Sequence, residues 1–195
     1  MSAARDSGQR AAHLAGAVDH VLREGVATLS LRPLAAALGT SDRMLLYYFG
    51  TRDDLLVEVL DVVGEQLQAG LTAALPSEPV APGRLLPALW ASMEHADAQA
   101  HVRLYLEVSG LAARGRQPFT GLARRVAEDW LSWVGPRLDV PDDERPAAAA
   151  GLLAALDGVL LVGAVAGRER ANAAAGWLAG RLGGDSGQVG GAHPG

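Results

Sequence analysis

The sequence entirely lacks cysteine, lysine and isoleucine. It contains no cysteine, which excludes a disulfide framework and any thiolate site. It also contains no lysine, so all 17 basic residues are arginine. No stretch of useful length alternates apolar and polar residues as a half-buried β-strand would. With 49% hydrophobic residues over 195 positions, the chain is long enough to bury a compact helical core.

Motifs for catalysis are also missing. The chain has no Gly-x-Ser-x-Gly nucleophile elbow, no phosphate-binding loop and no His-Glu-x-x-His metal motif. Its five histidines have no recognisable ligand spacing, and Asp97 with His101 supplies only two ligands. A carboxylate-bridged helical enzyme would need repeated Glu-x-x-His units, which do not occur. We therefore expect no enzyme activity, no cofactor and no metal.

Residues 30–52 read SLRPLAAALGTSDRMLLYYFGTR and hold two short amphipathic helical patterns separated by a Gly-Thr-Ser turn. Ser30 can cap the first helix, which a glycine ends. Ser41 can cap the second helix, whose Leu45 and Phe49 turn one face inward. Two helices joined so tightly predict a helix-turn-helix, which presents its second helix to the major groove of DNA.

The helix that follows has a start signal of its own. Thr51 and Asp54 form a Thr-x-x-Asp capping box, which predicts a long third helix through residue 75. Arg32, Arg43 and Arg52 each fall in the first turn of one of these three helices, where the macrodipole disfavours a cation by about 0.3–1 kcal/mol. A bound anion would offset that cost, so the placement favours a phosphate backbone. The alternative is that arginine is simply the only basic residue available.

The stretch from about residue 14 to residue 62 resembles the N-terminal DNA-binding domain of the TetR family of bacterial transcriptional repressors. The resemblance is carried by Leu14, Val18, Val21 and Leu22 on a first helix, Gly25, residues 29–32, Leu34 and Ala35, Leu38 and Gly39, residues 45–49, and residues 52–56. It implies an all-α protein of about nine helices, with a helix-turn-helix DNA-binding domain followed by a helical ligand-binding and dimerisation domain. It also implies a homodimer that binds double-stranded operator DNA and responds to a small effector.

The family pattern assigns DNA contacts to the second-helix entry, the recognition helix and the start of the linking helix. The matching positions here are Ser30, Arg32, Ser41, Asp42, Arg43, Met44, Leu46, Tyr47, Tyr48, Thr51 and Arg52. Family members commonly have Lys-Gly-Thr where this chain has Asp42, Arg43 and Met44, a departure that bears on the operator sequence more than on DNA binding. Arg43 can read a guanine, and Met44 or Leu46 can touch a thymine methyl. Asp42 either contacts a cytosine or is a favourable acid in a first helical turn.

The rest of the chain has proline and glycine clusters between apolar, alanine-rich stretches. These predict helices at about 84–98, 101–114, 118–135, 143–166 and 169–182. We expect a polar arm and the DNA-binding domain over residues 1–50, the linking helix and the effector-binding and dimerisation domain over 51–182, and a disordered glycine-rich tail over 183–195. The first ten residues precede no apolar h-region, so we expect an arm that lies over DNA or is disordered, rather than a signal peptide.

The resemblance implies an effector pocket in the C-terminal domain, for a small and largely apolar molecule. Aromatic and polar residues on the helices between the two ends of the chain are the expected lining: Trp90, Met93, His101, Tyr105, Phe119, Trp130 and Trp133. Glu94 and Asp97 are further polar candidates. For each aromatic residue, a role in the core is the alternative.

Residues 146–167 are almost long enough to span a bilayer. Asp157 in mid-span would cost about 2.5–3.5 kcal/mol on insertion, so we expect no membrane partner and a helix buried against a second subunit. With the last helix it would form a four-helix interface across a two-fold axis. The expected interface residues are Leu152, Leu156, Val159, Leu160, Gly163, Trp177, Leu178 and Leu182, with an internal core role as the alternative.

The overall charge of −5 argues against a nucleic-acid binder, but its distribution does not. Between residues 28 and 52, three arginines stand against one aspartate, a local balance of +2. The sequence therefore predicts a cytoplasmic, homodimeric, ligand-responsive DNA-binding repressor. A helical ligand-binding or scaffolding dimer without DNA binding is the alternative.

Overall fold

The computed structural model describes residues 2–27 and 29–183, which form nine α-helices and no strand. The helices are α1 (Ser2–Glu24), α2 (Leu31–Ala37), α3 (Asp42–Phe49), α4 (Arg52–Ala74), α5 (Pro82–Met93), α6 (Ala96–Ala113), α7 (Phe119–Val134), α8 (Arg145–Ala166) and α9 (Arg168–Leu182). A 3-10 turn, Gly135–Arg137, follows α7. The predicted all-α class is confirmed. Residues 184–195, which make up most of the predicted tail, and the side chain of Asp97 lie outside the part of the chain that the structure describes.

Three boundaries differ from the sequence prediction, and one of them is the start of α6, at Ala96 instead of residue 101. The expected polar arm is helical from Ser2 and continues into the rest of α1. The helix predicted over 84–98 ends at Met93, because the backbone of His95 is extended (ψ 145°) and caps α6 instead. No proline or glycine marks this break in the sequence, so the apolar pattern carried the prediction past it.

The described residues divide into two compact units. The first comprises residues up to 70 together with 95–127. Its core is one apolar cluster that joins α1, α2 and α3 to α4, α6 and the start of α7. The predicted inward residues of α3, Leu45 and Phe49, both belong to this cluster. The helix-turn-helix thus shares its core with α4 and α6, where the sequence had placed a domain boundary after residue 50.

The second unit comprises residues 71–94 and those from 128 onward, and in it α5, α8 and α9 pack on one another. Trp90 of α5 is buried, and its Nε1 donates a hydrogen bond to Asn172 Oδ1 of α9 at 2.7 Å. Gly163 of α8 faces the same ring, since a Cβ there would lie 3.0 Å from Trp90. These contacts fix the three helices around one indole.

Helix α8 is long and apolar enough to cross a membrane by length and composition. Only 28% of its most apolar window is buried. The buried side packs on α5 and α9, and the other side presents small and apolar residues to solvent.

Candidate nucleic-acid interface

Helices α2 and α3 pack on each other across the turn that the sequence predicted. Ser41 has the extended backbone of an N-cap, and its Oγ accepts a hydrogen bond from the backbone N–H of Met44 at 3.2 Å. Ser30 also occupies an N-cap position by its backbone, but its side chain makes no capping hydrogen bond. The predicted Ser41 cap is confirmed, whereas the predicted side-chain cap at Ser30 is wrong.

The outer side of α3 is exposed and largely apolar. Met44, Leu46 and Tyr47 are 37%, 41% and 68% exposed, although each is a large hydrophobic or aromatic residue. Their exposure follows from the register, because Leu45 and Phe49 take the inward positions. Asp42 uses its Oδ1 to accept a hydrogen bond from the backbone N–H of Arg43 at 2.9 Å. That contact agrees with the interpretation of Asp42 as a first-turn acid.

The three arginines at the helix starts differ in their surroundings. Arg32 and Arg43 are exposed, and within the described part of the chain neither guanidinium makes a hydrogen bond or an ion pair. Arg52 is instead bound to the protein: its Nε donates to the Leu29 carbonyl at 2.9 Å, and its Nη1 pairs with Asp53 at 2.9 Å. Arg32 and Arg43 are therefore open to an external anion, whereas Arg52 is largely occupied by contacts within the protein.

The start of α4 is the capping box that the sequence predicted. Thr51 Oγ1 lies 2.7 Å from Asp54 Oδ2 and accepts from the Asp54 backbone N–H at 3.1 Å. Asp54 Oδ2 in turn accepts from the Thr51 backbone N–H at 3.1 Å. These reciprocal bonds fix the turn that leaves α3.

The hydroxyls of Tyr47 and Tyr48 contact α1. Both point to the carboxylate of Asp6, at 3.4 Å and 3.0 Å, and Tyr48 also donates to Gln9 Oε1 at 3.1 Å. Partial burial raises the pKa of the Tyr48 phenol above its ordinary value, and the neighbouring Asp6 carboxylate raises it further. The sequence pattern missed Asp6 and Gln9, which approach α3 from about forty residues away.

The predicted pocket residues divide between the two units. His101, Tyr105 and Phe119 belong to the first unit, and Trp90, Met93, Trp130 and Trp133 to the second. Phe119, Trp90 and Met93 are buried core residues. For the two aromatic residues, this agrees with the alternative interpretation given above. The rings of Trp130 and Trp133 meet edge to face at 5.1 Å and are half-buried.

The predicted interface residues differ in how far they are buried within the protomer. Four of them, Leu152, Leu156, Val159 and Leu160, are buried within the protomer, and the half-buried Gly163 faces Trp90. Leu178 and Leu182 of α9 are half-buried. Trp177 is 62% exposed, with the Arg181 guanidinium 4.8 Å from its ring. On α8 the uncovered side chains are others, including Leu161 and Val165. The sequence could not indicate which face of α8 is open, because a helix that is apolar on nearly every side has no periodic pattern.

Comparisons with known proteins give a fold match. No family model and no curated protein matches the sequence. A transcriptional regulator from Rhodococcus sp. Rha1 is similar in structure, with a TM-score of 0.71 and 20% identity over 89% of this chain and 95% of that one. A TetR transcription regulator from Haloarcula marismortui matches with a TM-score of 0.69 and 19% identity over 91% and 97%. The chain has the TetR-family fold.

A third similar structure is the multidrug binding protein EbrR complexed with proflavin. Its TM-score is 0.69 and its identity 29%, over 89% of this chain and 98% of that one. The TetR-family resemblance carried by residues 14–62 therefore extends over about nine-tenths of the chain. These three similar structures are a transcriptional regulator, a TetR-family regulator and a multidrug binding protein, and none is described as an enzyme.

Proposed function

We propose that this chain is a cytoplasmic, homodimeric, sequence-specific DNA-binding repressor that a small, largely apolar effector releases from its operator. The observation that carries the proposal is the pair of exposed, unpaired guanidiniums of Arg32 and Arg43 at the starts of α2 and α3. The TetR-family fold, which places these two helices in a helix-turn-helix, supports it.

The electrostatics of the two helix starts favour an anion. Each unpaired guanidinium lies at the positive end of a helix dipole, where it is destabilised in the free protein. A phosphate at either end would accept hydrogen bonds from the guanidinium. At the start of α3 the guanidinium is the main donor, because the backbone N–H groups of Arg43 and Met44 already bond to Asp42 and Ser41. The net charge of −5 lies mostly outside this segment, so it does not oppose a local contact.

The exposed edge of α3 suits a major groove. Arg43 can donate to a guanine, and the apolar side chains of Met44 and Leu46 can contact thymine methyl groups. Such contacts are worth about 1–3 kcal/mol of discrimination each when well formed. We propose this edge, rather than the phosphate contacts, as the source of sequence specificity.

The open side of α8 supports a homodimer. Its exposed residues are small and apolar: Ala147, Ala150, Gly151, Ala154, Gly158, Leu161 and Val165. The half-buried Asp157, four residues before Leu161, borders this side. A Cβ at Gly151 or Gly158 would meet nothing within 4 Å, so a second helix has room to approach closely. The exposed Trp177 of α9 extends the apolar area. A second copy related by a two-fold axis would cover this face and would match a palindromic operator.

An effector is supported by the aromatic residues of α7. The half-buried pair Trp130 and Trp133 offers aromatic surface to a planar apolar molecule, and the Arg137 guanidinium already covers one face of the Trp133 ring at 4.1 Å. EbrR, the similar multidrug binding protein, has been crystallised with proflavin and with imidazole. Binding that favours a dimer geometry unable to span two major grooves would release the DNA by a population shift.

Binding-site selection from random DNA tests the DNA-binding part. We expect one enriched palindrome whose affinity falls steeply with salt, because each neutralised phosphate contributes about −0.9 to the slope of log K against log salt. The double variant Arg32→Ala, Tyr47→Ala should lose this binding, whereas Arg84→Ala, which removes an exposed arginine of α5, should keep it. Failure to enrich any sequence would favour the ligand-binding or scaffolding dimer.

Light scattering tests the dimer independently of DNA. Leu161→Glu places a charge in the middle of the open face of α8 and should give a monomer. Ala69→Glu adds the same charge to an exposed position on α4 and should leave the dimer intact. A dimeric Leu161→Glu protein would place the interface elsewhere.

Tryptophan fluorescence tests the effector part on the protein alone. Proflavin is a suitable probe, and DNA is omitted because a planar dye also binds bases by stacking. Quenching that saturates in the wild type and is lost in Trp130→Leu, Trp133→Leu would support a site at this pair. Unchanged quenching in the double variant would move the site away from it.

A further inference from the structure

We propose that Arg10 of α1 is a positioning residue for DNA binding, which holds the C-terminal turn of the recognition helix α3 against α1 and α4 without touching DNA itself. The inference rests on the proposed DNA-binding function. It concerns a residue outside the helix-turn-helix and outside every position that the family pattern marked for DNA contact.

Arg10 makes three kinds of contact at once. Its Nη2 lies 2.6 Å from Oε1 and 2.7 Å from Oε2 of Glu58 on α4. Its Nε donates a hydrogen bond to the backbone carbonyl of Tyr48 at 3.2 Å. Its guanidinium carbon lies 4.7 Å from the centre of the Phe49 ring. One side chain thus joins α1, the end of α3 and α4.

The Tyr48 carbonyl is an informative acceptor. It belongs to the last turn of α3, where carbonyls have no partner further along the helix and carry the negative end of the dipole. A cation there is favourable, which is the reverse of the situation of Arg32 and Arg43 at the helix starts. Arg10 is therefore satisfied in the free protein, and a DNA phosphate would have to compete with Glu58 for it.

The recognition helix depends on such contacts because it is short. Its eight residues cannot form a stable helix alone in water, so its orientation is set by what holds its two ends and its inner face. Ser41 caps the first end, Leu45 and Phe49 anchor the inner face, and Arg10 with Glu58 holds the second end. Removing the last of these loosens the C-terminal end of α3, although Phe49 and the hydroxyl contacts of Tyr47 and Tyr48 with Asp6 still hold this turn.

The experiment compares salt-dependent operator binding of Arg10→Gln and Glu58→Gln. Glu65→Gln, at an exposed acid of α4, controls for the charge change of Glu58→Gln, and Arg84→Gln, at an exposed arginine of α5, controls for that of Arg10→Gln. We expect both Arg10→Gln and Glu58→Gln to weaken the operator complex by about tenfold, the loss of one good base contact. In both variants, the slope of log K against log salt should differ from the wild-type slope by less than the value of one phosphate contact, about 0.9.

If Arg10 instead bound a DNA phosphate, the two variants would behave differently from this expectation. Glu58→Gln would then free Arg10 and tighten binding, and Arg10→Gln would reduce the salt slope by about 1.8, which is about 0.9 for each subunit of the proposed homodimer. Either result overturns the proposal. The binding stoichiometry of each variant separates a weaker complex from a smaller folded fraction, and Arg10→Lys, which keeps the charge but not the guanidinium, serves if Arg10→Gln does not fold.

Hydrogen exchange on the free protein separates this inference from the proposed function. We expect faster exchange of the Phe49 and Gly50 amides in Arg10→Gln than in wild type, with the amides of α2 unchanged. If wild-type protein binds no DNA, the proposed function fails, and this measurement alone decides whether Arg10 holds α3. Unchanged exchange at these two amides would overturn the holding role itself.

Discussion

The turn that leaves α1 is closed by a carboxylate from α6. Glu107 Oε2 accepts a hydrogen bond from the Val26 backbone N–H at 3.0 Å, and Oε1 accepts from the Ala27 N–H at 2.7 Å. Gly25 begins this turn with a positive φ of 79°. A Cβ at Gly25 would lie 2.5 Å from Glu107 Oε2, so the carboxylate fits the turn only while residue 25 is glycine.

We predict that Gly25→Ala and Glu107→Ala are strongly non-additive. Alanine at a positive φ costs about 1–2 kcal/mol, and its Cβ also displaces the carboxylate. Losing the two charge-assisted hydrogen bonds costs about 2 kcal/mol together, a figure reduced because the Ala27 N–H is exposed and can be hydrated. Gly25→Ala should therefore cost about 3.5 kcal/mol and Glu107→Ala about 2 kcal/mol, while the double variant should cost only about 3.5 kcal/mol.

Urea unfolding of the four proteins measures this coupling. One fixed protein concentration is used, since the stability of the proposed dimer would depend on concentration. Gly39→Ala is the matched control. Gly39 also has a positive φ, 65°, but a Cβ there would meet nothing within 4 Å, so only the backbone cost of about 1–2 kcal/mol should appear. Costs that add to within about 0.5 kcal/mol in the double variant would refute the contact between carboxylate and turn.

Three further predictions concern single contacts. Asp6→Asn should lower the pKa of Tyr48 toward its ordinary value. Because the pKa of Tyr48 is raised in the folded state, the stability contributed by the protonated phenol is complete below pH 10.0 and is lost as the phenol ionises at higher pH. Phenolate absorbance measures the shift, Tyr48→Phe assigns it, and an unchanged titration would contradict the contact. Asn172→Ala leaves the buried Trp90 N–H without its acceptor and should cost about 1–3 kcal/mol in urea unfolding, whereas Asn172→Asp should cost less; equal costs would contradict the hydrogen bond. Thr51→Ala removes the α4 cap and should cost about 1 kcal/mol by the same measurement, and a Thr51→Ser variant as unstable as Thr51→Ala would contradict it.

Local signals in the sequence predicted most of the helix-turn-helix. The Ser41 cap and the Thr51–Asp54 box act within three residues, and the inward pair Leu45 and Phe49 follows from helical spacing. Such interactions are decided by neighbours in the chain, so a single sequence contains them. The later helices were likewise predicted from the proline and glycine clusters between them, whereas the count of about nine helices came from the family resemblance.

The contacts that position these elements lie beyond local patterns. Arg10 reaches Glu58 across 48 residues, and the Ala27 N–H meets Glu107 across 80. No periodicity links such partners, and a charged residue on a helix gives no sign of whether it faces water or another helix. Helix α8 shows the same limit for apolar residues: because nearly all its sides are apolar, the pattern could not say that Leu152 faces the core and Leu161 solvent.

The arginines illustrate how a single residue type acquires different roles. In a chain without lysine, the position of each arginine relative to a helix dipole distinguishes its role. Arg10 lies at the end of α3, where a cation is favourable, and is already paired; Arg32 and Arg43 lie at helix starts, where a cation is unfavourable, and are unpaired. The unpaired arginines gain most from an external anion because they are the least satisfied without one. The folded protein thus tolerates an electrostatic cost at its proposed DNA-binding edge, and Arg10 supplies rigidity beside it.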